Sequence, residues 1–209
     1  MDTPKESKEA HRQRLRKEIR KRRSQLSPAE YAQLSKALVT RLCASECLSG
    51  VGTVAAFWPV RGEPDILPAL ELMKKKGLRI VLPVAKGASI AFAEAETFNR
   101  DQNPPGKWGI PEPRGSIIPL TEVDLFLVPG LVFEMNGGRL GSGGGYYDRI
   151  FPNTDADSVR VGLCFSFQIV DDLPLMGHDI PMHFVIHEKA AIACSPEGRE
   201  TVIESGTEA

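Results

Sequence analysis

Polar and apolar residues along this chain come in blocks. Four short, almost wholly apolar runs stand out: VGTVAAFWPV (51–60), LRIVLPV (78–84), DLFLVPGLVF (124–133) and VRVGLCFS (159–166). Runs of that length, bounded by Gly and Pro, predict strands buried on both faces. ASIAFAEA (88–95) and EKAAIAC (188–194) read as two more. Between the runs, apolar residues recur every three or four positions. From Arg12 a helix is expected, with Leu15, Ile19 and Leu26 as a thin apolar stripe, and residues 1–11 are expected to fray. It ends before LSPAEY, where Ser27 reads as an N-cap, Pro28 as the first helical residue and Glu30 as the partner in a capping box. A second helix then carries Tyr31, Leu34, Leu38 and Leu42 on one face until Gly50, and a third, ILPALELMKKK (66–76), is stopped by Gly77.

Apolar strands alternating with amphipathic helices predict an α/β fold of three layers, a mainly parallel sheet with helices on both faces, Rossmann-like and forming a single domain over 1–209. Residues 196–209 are expected to be a flexible tail. Ligands in such folds bind at the carboxyl ends of strands, in loops leading to helices. Two segments occupy that place: RGEPD (61–65), after the strand ending at Trp58, and GGRLGSGGGYYDRIF (137–151), which leads into a short helix around Tyr147 to Phe151. NRDQNPPGKWGIPEPRG (99–115) holds too much Pro and Gly for regular structure and reads as a surface loop.

Composition narrows the class without deciding the function. A hydrophobic share of 42% with 25% charged residues is that of an ordinary soluble domain, and no window approaches a membrane span. The N-terminus is charged throughout and has no apolar stretch of a secretory signal. Cysteines at 43, 47, 164 and 194 form neither a CxxC pair nor a zinc spacing. They read as reduced thiols in the cytoplasm, with Cys43 and Cys47 on a helix face.

Charge is more informative. The net value of −1 conceals residues 12–23, where eight Arg or Lys stand against Glu18, a local +7 that leaves −8 elsewhere. Three readings compete for this segment: a solvated helix face, a nucleic-acid arm, or a donor of phosphate ligands to a nearby site.

The stretch 137–151 holds six glycines. Such density weakens any helix or strand, and suits close approach of a phosphate to backbone; a plain flexible turn is the alternative. GxxxxGK[ST] is absent, and GxGxxG starting at Gly141 would need glycine where Tyr146 stands, so nucleotide kinases and nicotinamide enzymes of standard type are disfavoured. Arg139 before the glycines places a cation beside the loop, and Asp148 after them can reach a metal on phosphate oxygens. A surface ion pair and a helix cap are the bland alternatives for these two.

RLGSGGGYYDR (139–149) resembles the signature of the 5-formyltetrahydrofolate cyclo-ligase family, also called 5,10-methenyltetrahydrofolate synthetases. LVPGLVF (127–133), GEPD (62–65), KWGIPEP (107–113), LPLMGHD (173–179) and a basic helix followed by an LS-capped one resemble family landmarks in family order. The resemblance spans Arg12 to Glu188. It implies ATP- and Mg²⁺-dependent conversion of 5-formyltetrahydrofolate into 5,10-methenyltetrahydrofolate, with small-molecule partners only, no nucleic acid or membrane, and a monomer. Residue by residue, it implies nucleotide contacts along Arg139, Leu140, Gly141, Ser142, Gly143, Gly144, Gly145, Tyr146 and Tyr147, with Arg139 and Asp148 catalytic. Arg12 and Arg16 match the family's N-terminal nucleotide contacts, Asp148 and Asp179 its magnesium positions. Trp58, Glu63, Trp108 and Tyr146 match or border folate-contacting positions. Arg12 stands where Lys is usual, and Gly144 where some members carry Lys.

Other chemistry is thinly represented. His178, His183 and His187 fit no zinc pattern, and His178-Asp179 lacks the partner motifs of an HD phosphohydrolase. Trp58 and Trp108 read as a wall for the pterin, or as core. Two rival functions remain: a regulatory protein that binds nucleotide without turnover, which the intact Arg139, Asp148 and Glu63 disfavour, and a nucleic-acid binder, for which no motif is present.

Overall fold

The apolar runs become the middle of one sheet in the computed structural model, which describes residues 6–194 and 201–202. Five central strands lie side by side and parallel, in the order β9 (Phe184–Ile186), β8 (Val159–Leu163), β5 (Leu125–Pro129), β1 (Thr53–Ala55) and β2 (Arg79–Lys86). Beyond β2 come β3 (Ser89–Glu94) and β4 (Ile117–Ile118), and beyond β9 come β10 (Ala191–Ala193) and β11 (Thr201–Val202), all antiparallel. The parallel expectation therefore holds for the core and not for the flanks. Most of the expected tail lies outside the described residues; 201–202 pair with β10.

The pleat sends alternate residues to opposite faces. Val54, Ile80, Leu82, Leu125, Leu127, Val161 and Leu163 pack beneath α2 (Pro28–Cys43) and α3 (Leu67–Lys75), against Leu38, Leu42, Leu70 and Met73. Ala55, Val81, Phe126, Val128 and Val185 face the other way, where α4 (Tyr146–Ile150) and the 3₁₀ turn after it bring Ile150 and Phe151. The capping box at Ser27 and Glu30 forms as its spacing predicts. No helix among the described residues is long and apolar enough to cross a membrane.

Several expectations need correction. The first helix, α1 (Lys8–Ser24), begins four residues before Arg12, because Ser7 accepts the Ala10 N–H and caps it. Fraying therefore does not reach residues 8–11, while 1–5 lie outside the described residues. Cys47 sits in a 3₁₀ turn, not on α2. DLFLVPGLVF is not one strand. It ends in the sheet at Pro129, turns at Gly130 and leaves as β6 (Val132–Phe133), paired with β7 (Arg139–Leu140) in a separate hairpin. Phe133 is fully buried against two glycines: a Cβ on Gly130 would lie 2.5 Å from its ring, and one on Gly162 2.4 Å. Central strand β9 escaped notice because three apolar residues between histidines are too few to show a period.

α1 does not cover the sheet. Leu15 and Ile19 pack on the hairpin, against Leu131, Val132 and Leu140, with Leu173 closing the cluster. The helix is thus parked over the carboxyl ends of β5 and β1, beside the glycine loop.

Candidate active site

α1 divides its charge between two faces. Its buried residues are Arg12, Leu15, Arg16, Ile19 and Arg23, at the spacing of a core-facing stripe. The apolar stripe looked thin because arginines share the inner face. Arg16 Nε donates to the Gly141 carbonyl (3.1 Å) and Arg20 to the Ser142 carbonyl (3.1 Å), which ties the glycine loop to the helix. Arg14, Lys17, Lys21 and Arg22 are exposed. The helix therefore has a solvated outer face and an inner face whose arginines meet the glycine loop, the placement that the phosphate-ligand reading requires.

The loop's own chemistry lies beneath it. Gly145 takes the left-handed φ of +61° from which α4 starts, a conformation open to glycine at little cost. Arg139, its side chain 4% exposed, donates to Asp148 Oδ1 (2.9 Å), and its guanidinium lies 5.5 Å from the Tyr147 ring centre. Its Nε is buried without a hydrogen-bond partner among the described residues. Asp148 Oδ1 also takes the Ile180 N–H (3.4 Å), and no hydrogen bond falls on Oδ2 among the described residues. Arg12 forks onto Asp179 and also reaches the Pro174 carbonyl (3.0 Å), while Asp179 accepts the Met176 N–H (2.8 Å).

These groups line a cavity of ≈ 410 Å³, in which Arg12, Arg16 and Arg139 face the glycine loop together with Glu9, Asp148 and Asp179. A second cavity of ≈ 450 Å³ adjoins it, walled by Phe57, Trp58, Pro83, Ala85, Ile90 and Ile110, with Arg20, Arg23, Arg61, Lys107 and Glu112 among its polar residues. Both share Glu63, Pro129, Ser142, Tyr146 and Tyr147. One chamber suits a polyanion and the other a flat, largely apolar molecule. They meet at a carboxylate and two tyrosines.

A model of the 5-formyltetrahydrofolate cyclo-ligase family matches residues 8–188. The chain belongs to that family. It is 30% identical over 177 residues to the 5-formyltetrahydrofolate cyclo-ligase of Escherichia coli K12, covering 80% of this chain and 95% of the relative. The cyclo-ligase of Mycolicibacterium smegmatis is 30% identical over 148 residues, 67% of this chain and 75% of the relative. Among solved structures, Aquifex aeolicus 5,10-methenyltetrahydrofolate synthetase superposes with a TM-score of 0.78 at 29% identity, covering 94% of this chain and 99% of that one.

The cyclo-ligase positions carried over from sequence can now be located. Trp58, Glu63 and Tyr146 line the larger cavity; Arg12, Arg16, Arg139, Gly141, Ser142, Gly143, Gly144, Gly145, Asp148 and Asp179 line the smaller. Leu140 lines neither: it is fully buried with Leu15 and Ile19, anchoring the loop through the core. The Trp108 side chain lies outside what is described. Trp58 is 2% exposed, and its indole N–H is buried without a partner among the described residues. A Cβ on Gly144 would lie 2.5 Å from the Tyr146 ring, so a longer residue there must displace that tyrosine. His178, His183 and His187 do not converge; among the described residues no three His, Cys, Asp or Glu gather as a metal cluster. Arg20, Arg23 and Glu112 escaped the sequence reading, although the steps from Arg12 to 16 to 20 were visible as one helical row.

Burial pushes the Glu63 carboxyl from 4.5 up to about 7, against the pull of Arg23, the Val60 N–H and Arg61. Between these values the folded chain holds more protons than the unfolded one. The contribution to stability is therefore complete below pH 4.5 and lost as pH rises through about 7, amounting to about 3 kcal/mol. Thermal midpoints measured across that window should fall with rising pH in the parent, and Glu63→Gln should flatten the fall.

Proposed function

We propose that this cyclo-ligase converts 5-formyltetrahydrofolate into 5,10-methenyltetrahydrofolate at the expense of ATP, with Mg²⁺ and with release of ADP and phosphate. The observation that carries the reading is the shared wall: a glycine-lined chamber holding Arg12, Arg16 and Arg139 beside acidic residues meets a largely apolar one at Glu63, Ser142, Tyr146 and Tyr147.

The chemistry explains that arrangement. A formamide oxygen leaves poorly, so the γ-phosphoryl is transferred to it. N-10 then attacks the activated carbon to form the new C–N bond and gives up its proton to solvent, and the C–O bond breaks as phosphate departs. Such a transfer needs positioning and charge neutralisation more than covalent help. Arg139 supplies a fixed cation under the loop, and Arg16 adds a second from α1. The aromatic and aliphatic wall around Trp58 holds the pterin and keeps water from the activated carbon. Glu63, at the junction, orients the folate through its carboxylate.

Magnesium, when bound, neutralises phosphate charge and aligns the transferring group. The donor set fits: Asp148 has an oxygen to spare, and this ion needs only one or two carboxylates beside phosphate and water. Asp179 has both oxygens engaged and takes part only if Arg12 releases it. The reading has the chain working as a single-domain monomer in the cytoplasm on small molecules alone.

The test is an absorbance assay. The near-ultraviolet signal of the methenyl product should rise only with 5-formyltetrahydrofolate, ATP and a divalent metal together. No rise from a folded, nucleotide-binding preparation would favour the regulatory alternative. Glu63→Gln should separate the two chambers: KM for the formyl folate should rise about tenfold or more, the worth of one charged hydrogen bond, with MgATP affinity within about twofold of the parent. Equal weakening of both ligands would make the GEPD loop a structural element.

A further inference from the structure

Glu63 sits on a turn of unusual construction. Val60 to Glu63 closes through the Glu63 N–H on the Val60 carbonyl (3.0 Å), and both central residues are left-handed, Arg61 at φ +51° and Gly62 at +73°. The carboxylate folds back to accept the Val60 N–H (3.1 Å). Arg61 is the one non-glycine residue with positive φ among those described. Conformations that cost free energy persist only where surroundings over-determine them.

Those surroundings come from two helices. Arg23 Nε donates to the Gly62 carbonyl (2.9 Å), its Nη2 donates to the Val60 carbonyl (3.1 Å), and the same nitrogen stands 3.9 Å from Glu63 Oε1. Tyr31 of α2 donates its hydroxyl to the Glu63 carbonyl (2.8 Å). The Arg23 side chain is 3% exposed. A guanidinium so buried is expensive unless its donors are used, and here Nε and Nη2 are both used on one turn. A leucine would satisfy α1's core face at no such cost.

We propose that Arg23 is a positioning residue for the reaction: its fork fixes the left-handed turn and holds the Glu63 carboxylate at the junction of the two cavities. Because Arg16 and Arg20 of the same helix hold the glycine loop, one rigid element orients both that loop and the Glu63 carboxylate. The inference rests on the reading of the larger cavity as the folate chamber.

Charged and titratable groups reach Glu63 from every side of the turn: Arg23 from α1, Tyr31 from α2, Arg61 from the turn itself and Tyr147 from α4. The experiment compares parent, Glu63→Gln, Arg23→Gln and Arg23→Lys by steady-state kinetics over pH, alongside thermal melts. In Arg23→Gln, KM for the formyl folate should rise at least tenfold while KM for ATP stays within about twofold. The acidic limb of kcat/KM for the folate should move up by about one pH unit, because a cation beside the carboxylate is gone. Arg23→Lys keeps the charge without the fork, so its limb should stay in place while KM still rises. Glu63→Gln should lack the limb.

A role confined to packing would lower both melting temperatures and leave limb and KM unmoved, which overturns the proposal. If Arg23→Gln does not fold, Arg23→Lys decides alone: a parental KM overturns the fork. An inactive parent, or a Glu63→Gln variant with parental KM, sinks the functional reading instead. An impaired Glu63→Gln beside a parental Arg23→Gln sinks only the inference.

Discussion

Asp148→Asn should lower turnover at least about 100-fold, roughly 3 kcal/mol of barrier, while the protein stays folded. Asparagine is preferable to alanine because of Arg139. That guanidinium is buried, its Nε already lacks a partner among the described residues, and Asp148 Oδ1 is the acceptor opposite its Nη2. Alanine would strand a buried charge and cost about 3–5 kcal/mol of stability, confounding chemistry with unfolding. Asparagine keeps an oxygen for Arg139 and removes the negative charge that would hold magnesium. The loss should be steepest at limiting magnesium and should ease only partly at saturation. Near-parental turnover at limiting magnesium would reduce Asp148 to the partner that secures Arg139.

The second large effect concerns the inner face of α1. Replacing Arg12 and Arg16 together by Gln should raise the ATP concentration needed for half-maximal rate by about 100-fold, the worth of two charge-assisted contacts of roughly 1.5 kcal/mol each. The same charge removed at Arg14 and Lys21 should leave it within a few-fold of the parent. Arg14 pairs on the surface with Glu6, and Lys21 is exposed. Arg12 carries a complication, since losing it frees Asp179 from its fork. Arg12→Gln and Arg16→Gln should therefore also be measured singly at fixed ionic strength, with folate saturating. Similar modest losses from both double variants would leave α1 a general electrostatic role.

Much of the architecture was legible because its signals are local. The apolar runs have the length and the Gly and Pro bounds of strands buried on both faces, and the capping box at Ser27 and Glu30 fixes the start of α2 within a residue. What escaped depends on contacts distant in the chain. Pro129-Gly130 is a local turn signal set inside an unbroken apolar run, but the seat that lets Phe133 pack there also needs the bare backbone of Gly162, thirty-two residues later. The site divides the same way. Arg139, Asp148 and the glycines were readable as one short constellation. Arg23 was not, since its partners Val60 and Gly62 lie far along the chain, and a basic residue in a basic run looks like one more solvated charge.

The Phe133 arrangement also constrains how such a sequence can drift. One ring fits the notches left by two missing side chains on different strand ends. A methyl added at Gly130 or Gly162 meets that ring well inside contact distance, so neither position can grow while Phe133 keeps its size. Shrinking Phe133 first opens a void in the cluster beneath β5. The three positions thus form an epistatic knot whose members are free to change only in concert, and it lies directly under the turn where the chain leaves the sheet to build the hairpin that carries Arg139.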